Sequence, residues 1–166
     1  VRRQGSVSPH SAGTTMMNFQ DGLAFMELVG DIVAEPHVRE NIQEWVDQTK
    51  HELGQLIENQ TSPNGIPYAP LAPSTVARKG HNTALFETGE LIKSLVSNGD
   101  GHVEEVTDNS AVLGTDHRKN GKPVAQYLHE GTQRIPARPF VGVNEDMADH
   151  AAETIADGIM GQIASL

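Results

Sequence analysis

An α+β domain is the fold class this sequence predicts, on three observations. Two segments, one after Pro36 and one after Asn144, repeat apolar residues at steps of three and four, the period of a helix with one buried face. Between them, His102–Val106 and Ala111–Thr115 are short β-rich runs around Asp108-Asn109, the pattern of a hairpin. The connectors are dense in Pro and Gly, which break regular structure. Two long amphipathic helices packed on a small, mainly antiparallel sheet follow from this.

In chain order, residues 1–17 are rich in Ser, Gly and Thr and read as a flexible arm; 18–166 read as one domain. Arg2 and Arg3 precede no apolar stretch, so no secretory signal is expected. Phe19, Leu23, Met26 and Val29–Val33 predict a short helix over Gly22–Val33 with a weak strand before it. The next helix is predicted over Pro36–Asn59, with Pro36 in its first turn and an inner stripe of Val38, Ile42, Trp45, Val46, Thr49, Leu53, Leu56 and Ile57. Thr61–Ser74 is a Pro/Gly connector with a turn at Asn64-Gly65. Ser74 and Thr88 each suit the cap of a short helix, the first ending at Gly80 and the second spanning Gly89–Leu95. In the hairpin, strict alternation puts Val103 and Val106 on opposite faces, which predicts a bulge or a shifted register. Asp116–Pro123 is polar and reads as an exposed loop, Val124–Glu130 as a further strand, and Arg138–Val143 as extended. Asn144 is placed to cap a final helix with Met147, Ala151, Ile155, Ile159 and Ile163 inward and Glu145 and Asp146 at its positive end.

At 166 residues and 37% hydrophobic content the chain is long enough for a real core, and seven aromatics make that core mostly aliphatic. Zero cysteines exclude disulfides, thiolate metal sites and thiol nucleophiles. The longest apolar run, Gly22–Ala34, is broken by Glu27 and Asp31, so no membrane span is expected. A formal charge of −10 opposes tight binding to a phosphate backbone. That charge is uneven. The two long helices are acidic, and most basic residues lie between Arg78 and Arg138, which suits charge-complementary docking between subunits.

No catalytic set stands out. The eight histidines have no metal-ligand spacing, and no GxSxG, P-loop or GxGxxG is present. His129-Glu130 and Asp116-His117 are adjacent, and adjacent residues on a strand face opposite ways. No enzyme, cofactor or metal is expected. Arg118, Lys119 and Lys122, with Arg134 and Arg138, form a basic region without an aromatic platform, which reads as solvated surface or as a contact surface.

Three blocks combine an aromatic, a turn-setting Gly or Pro and a short apolar run: PNGIPYAPL at Pro63–Leu71, LFETGELIKSL at Leu85–Leu95, and YLHEGTQRIPARPFVGV at Tyr127–Val143. With Ser74-Thr75, Arg78-Lys79 and the strand Val112–Thr115, they occur in the order seen in the phage virion-morphogenesis (tail-completion) family of Mu-like phages, which this chain resembles from about Pro36 to its C-terminus. Tyr68 stands where many relatives carry Trp, Asp116–Pro123 is longer than usual, and the segment before Pro36 has no counterpart.

The resemblance implies a structural virion protein of the phage neck, present in the virion and in host cytoplasm during assembly. Similar proteins close the head-proximal end of the tail tube and join it to the DNA-filled head. They have a tail-terminator-like fold that closes into a ring, usually of six subunits. The partners implied are further copies of the chain, the tail tube protein, a head-completion (stopper) protein, and DNA passing through the lumen without sequence-specific binding. Candidate contact residues are Tyr68, Arg118, Lys119, Tyr127, His129, Arg134, Arg138 and Phe140, with Tyr127–Phe140 expected as a pre-shaped loop from which the Arg138 guanidinium projects. A monomeric prophage-encoded binding module is the alternative, and a small phage hydrolase a third reading.

Overall fold

The computed structural model describes residues 16–18, 24–29 and 38–164, a mixed α/β arrangement with one principal antiparallel sheet. Strands β1 (Met16–Asn18), β2 (Ala24–Val29), β3 (His102–Val106) and β4 (Ser110–Thr115) form that sheet in the order β1-β2-β4-β3, every pair antiparallel. The helix expected over Gly22–Val33 is therefore corrected. Ala24–Val29 is a strand paired residue for residue with Ser110–Thr115. Its apolar residues fit either period, and an available edge on β4 decides in favour of extended structure, a tertiary effect that periodicity does not carry. Strand β1 begins at Met16, inside the span expected as an arm; the rest of that arm and Pro36 lie outside the described residues.

The β3–β4 hairpin pairs without interruption from His102↔Thr115 to Val106↔Ala111, so the expected bulge is absent. His102, Glu104 and Val106 share the helix-facing side with Ala111, Leu113 and Thr115; Val103 lies on the other face, opposite Gly114. Glu104 is tolerated on that inner face because Lys50 Nζ donates to it at 2.7 Å, Gln43 Nε2 at 2.9 Å and the His102 ring at 3.2 Å. Burial alone would raise its carboxyl pKa, but these bonds outweigh that and lower it.

Helix α1 (Arg39–Glu58) lies across the sheet and buries Ile42, Trp45, Val46, Thr49, Leu53 and Ile57, all but one of the residues expected inward within it; Leu56 is half-buried. Each of the large apolar side chains contributes roughly 1.5–3 kcal/mol on leaving water. Helix α5 (Glu145–Ala164) runs antiparallel to α1. Trp45 Nε1 donates to the Met147 carbonyl at 2.8 Å, and Asn41 Nδ2 to that of Thr154 at 3.1 Å. Asn144 caps α5 as expected, its Oδ1 accepting from the Met147 backbone N–H at 2.8 Å. A Cβ at Gly158 would meet the end of the Asn41 side chain, so glycine lets α5 sit this close with the Asn41 amide in its present place.

Beyond Gly158 the pairing stops. Met147 and Ala151 are buried and Ile155 is partly buried, but Ile159 is exposed, which corrects its expected place in the inner stripe; Met160 is exposed too. Ile163 lies among the side chains not described.

Helix α3 (Glu90–Val96) packs between α1 and the sheet, with Leu91, Ser94 and Leu95 buried. Its cap residue is Gly89 in a left-handed conformation (φ 81°), not Thr88 through its side chain. Helix α2 (Pro73–Lys79) has Pro73 in its first turn and ends at Gly80 (φ 78°) as expected, although Ala72 and not Ser74 is its cap residue.

Candidate functional site

The three Gly/Pro blocks, far apart in sequence, line one cleft of about 270 Å³. Its walls are α2, the turn and helix start at 85–91, helix α4 (Val124–Glu130) and the loop that follows α4. Leu71, Leu85, Leu91, Val124, Leu128 and Ile135 give it an apolar lining.

Helix α4 corrects the strand expected over Val124–Glu130. Ala, Gln, Leu and Glu are good helix formers, and Ala125 and His129, four apart, share one buried face. Pro123 (φ −75°) leads in. The polar segment before it is not an open loop. Its strands β5 (Arg118–Lys119) and β6 (Lys122–Pro123) form a small exposed hairpin whose turn residues Asn120 (φ 53°) and Gly121 (φ 75°) suit a type I′ turn.

Gly131 reverses the chain after α4, and a Cβ there would press on the Ala137 backbone. Thr132 Oγ1 accepts from the backbone N–H of Arg134 and Ile135, and Thr132 N–H donates to the Ile135 carbonyl, so this loop is braced by its own residues.

The expected projection of Arg138 is corrected. It is 3% exposed, and its Nε and Nη2 donate to the carbonyls of Ala69 and Pro70 at 2.8 and 3.0 Å. Prolines in the connector leave those carbonyls without ladder or helix partners, and a forked guanidinium serves two at once. His129 and Phe140 are likewise interior. They are 5% and 1% exposed and meet edge to face at 5.4 Å, with His129 Nδ1 accepting from the Phe140 backbone at 3.4 Å. Burial pulls the His129 pKa down to about 4, so the ring is neutral at pH 7. In this arrangement these three side chains are structural supports of the cleft, not presented surface.

The other expected contact residues differ. Tyr127 is 40% exposed, and Arg118, Lys119 and Arg134 are exposed. Tyr68 is half-buried, with a hydroxyl that has no hydrogen-bond partner among the described residues; burial raises its pKa. Arg138, Arg134 and Lys119 line the cleft; Tyr127, Arg118 and Tyr68 do not.

Two features of the cleft are not readable along the chain. The first is its charge. Arg78, Lys79, Lys119, Arg134 and Arg138 line it against Glu87 and Glu90. Glu87 accepts from Lys119 at 3.2 Å and Arg78 at 3.5 Å, which lowers its pKa, and the cations still outnumber the acids. The second is the turn at Leu85. Gln60, just after α1, clamps Ala84 with its side-chain amide: Oε1 accepts from Ala84 N–H at 2.6 Å and Nε2 donates to the Ala84 carbonyl at 3.2 Å. The next residue, Leu85, is held at φ 60°, a conformation strained for a bulky side chain, while its side chain is 6% exposed.

Behind the cleft a buried polar chain runs from His117 N–H to Thr115 Oγ1 (3.0 Å), on to Ser94 Oγ (2.7 Å), and from Ser94 Oγ to the Leu91 carbonyl (2.7 Å). His117 lines the cleft at 7% exposure, and its Nδ1 has no hydrogen-bond partner among the described residues.

Among the described residues no three His, Asp or Glu side chains are placed to hold a metal ion, and no helix is long and apolar enough to cross a membrane. The cleft thus combines an apolar lining, a cationic bias and walls held by side-chain to backbone hydrogen bonds from Arg138 and Gln60.

The family model described as the phage virion morphogenesis family matches residues 24–160, which include the cleft, α1 and α5 as far as Met160. The chain belongs to that family. The match begins at Ala24, so β2 lies inside the family's span although no counterpart before Pro36 was expected. No curated protein and no solved structure matches the chain. Membership assigns this protein a structural or assembly role in building the phage virion.

Proposed function

We propose that this phage virion morphogenesis protein completes the tail at the neck, as a ring of copies that closes the tail tube and joins it to the DNA-filled head. The observation that carries this reading is the convergence of the three family blocks on one cleft braced by Arg138 and Gln60, a site shaped for protein contact. Exposed Tyr127, Arg118, Lys119 and Arg134 are the contact residues of this proposal, with Tyr68 at the margin of the site.

The partners proposed are the tail tube protein on one side and a head-completion protein on the other. DNA passes through the lumen without sequence-specific binding, which a net charge of −10 favours because phosphate meets few cations. The protein acts in the assembled virion and in host cytoplasm during assembly.

Deleting the gene and imaging the particles tests this reading. The expected result is filled heads and tails that fail to join, or tails of abnormal length, restored by the wild-type gene in trans. Normal infectious particles without the protein overturn the neck assignment.

A further inference from the structure

Among the described residues, the outer face of α5 is a second surface without a packing partner, and its chemistry is the reverse of the cleft's. Asp149, Glu153, Ala156, Met160 and Ala164 recur at i, i+4, i+7, i+11 and i+15, so they form one exposed stripe roughly opposite the face that packs on α1. Asp157 lies beside the stripe, and no Lys or Arg occurs anywhere in α5. The stripe is acidic in its first half, at Asp149 and Glu153, and apolar in its second, where Met160 is 63% exposed with Ile159 flanking it.

The two surfaces sit at opposite ends of α1. Asn41, in the first turn of α1, bonds to Thr154 and touches Gly158, so the end of α5 runs out past the start of α1. Gln60, just beyond the other end of α1, clamps Ala84 at the edge of the cleft. A helix of 20 residues separates these points by about 30 Å, so the tip of α5 does not reach the cleft of its own chain.

We infer that the end of α5 from one copy of this chain docks in the cleft of the next, with Met160 in the apolar floor beside Phe86, Asp157 against Arg134, and the acids of the stripe toward Arg78 and Lys119. Size agrees: about 270 Å³ suits one or two side chains, less than most cofactor pockets. Charge agrees, since a cleft lined by Arg78, Lys79, Lys119 and Arg134 against Glu87 and Glu90 meets a helix with five acids and no Lys or Arg. Two different patches of one molecule meeting make a heterologous contact, which propagates from copy to copy and closes only if the rotation allows. The inference deepens the proposed function by naming the surfaces through which copies of the chain join.

The cysteine-free sequence makes the test direct. One variant of the chain carries Phe86→Cys and a second carries Met160→Cys, both at exposed positions. The two are mixed at about 0.1 mM, enough to populate a contact of micromolar Kd, and treated with a short bis-maleimide. The expected product is the mixed 86–160 dimer, identified by peptide mass and diminished at high salt. Arg134→Asp or Asp157→Arg alone should reduce its yield about tenfold or more, and the two swapped between copies should restore it. Only 86–86 or 160–160 products, or no cross-link, overturn the inference, as does a yield indifferent to both charge reversals. This outcome is separable from the neck reading. A mixed dimer with normal virions from the deletion strain keeps the contact and removes the neck assignment, and the opposite pair of results does the reverse.

Discussion

Arg138 and Ala69, 69 residues apart, are joined by a guanidinium-to-carbonyl bond of 2.8 Å that ties the loop after α4 to the proline-rich connector. A second bond at 3.0 Å reaches Pro70, and the Arg138 backbone N–H donates to Leu128. One side chain thereby holds two walls of the cleft together, away from solvent.

Arg138→Ala should therefore destabilise the fold by about 1.5–3 kcal/mol, since hydrogen bonds from a charged donor are lost and two carbonyls are left without it. Arg138→Lys should recover only part of this, because a single ammonium cannot reproduce the planar fork. Urea unfolding of the three proteins measures it, and a wild-type midpoint for Arg138→Ala would remove Arg138 as a support.

Leu53 is fully buried in the middle of α1, and Leu53→Ala should cost about 2–5 kcal/mol, the range for leucine truncation in a packed core. Ile159→Ala, at an exposed position past the α1–α5 pairing, should change the melting temperature little. Thermal unfolding of both variants tests how far that pairing extends.

His129 links stability to pH. Its folded pKa of about 4 lies below the ordinary value of 6.5, so between these values the unfolded chain binds the extra proton. The stability due to the neutral ring is complete above pH 6.5 and lost as pH falls toward 4. From pH 7.5 to 5 this one group removes about 2 kcal/mol. Unfolding of wild type and His129→Leu at the two pH values isolates it: the variant should lose less stability across the interval by about that amount.

Gln60→Ala should release Ala84 and let Leu85 leave its strained φ. The expected cost is about 1–3 kcal/mol for the unpaired backbone groups at Ala84, with faster amide exchange at 83–86. Unchanged exchange there would show that burial of Leu85 alone holds the turn.

The two long helices, the hairpin at 102–115, the cap at Asn144 and the family itself were legible in the sequence. Each rests on local periodicity or turn chemistry, or on blocks whose order along the chain is itself the signal. Ala24–Val29 and Val124–Glu130 were misread in opposite directions, strand for helix and helix for strand. Short apolar runs fit both periods, and what settled them was a free edge on β4 in one case and a buried face against Phe140 in the other. The candidate contact residues divided for a related reason. Arg and Pro in RIPARPF suggest a presented loop, but only the tertiary structure brings Arg138 to carbonyls that prolines 69 residues away had left unpaired. Composition along the chain determined that one region is cationic and two helices acidic. Folding alone decided that the cationic cleft and the bare end of α5 fall at opposite ends of α1, because the direction in which two helices pack is set by the whole core and not by either helix.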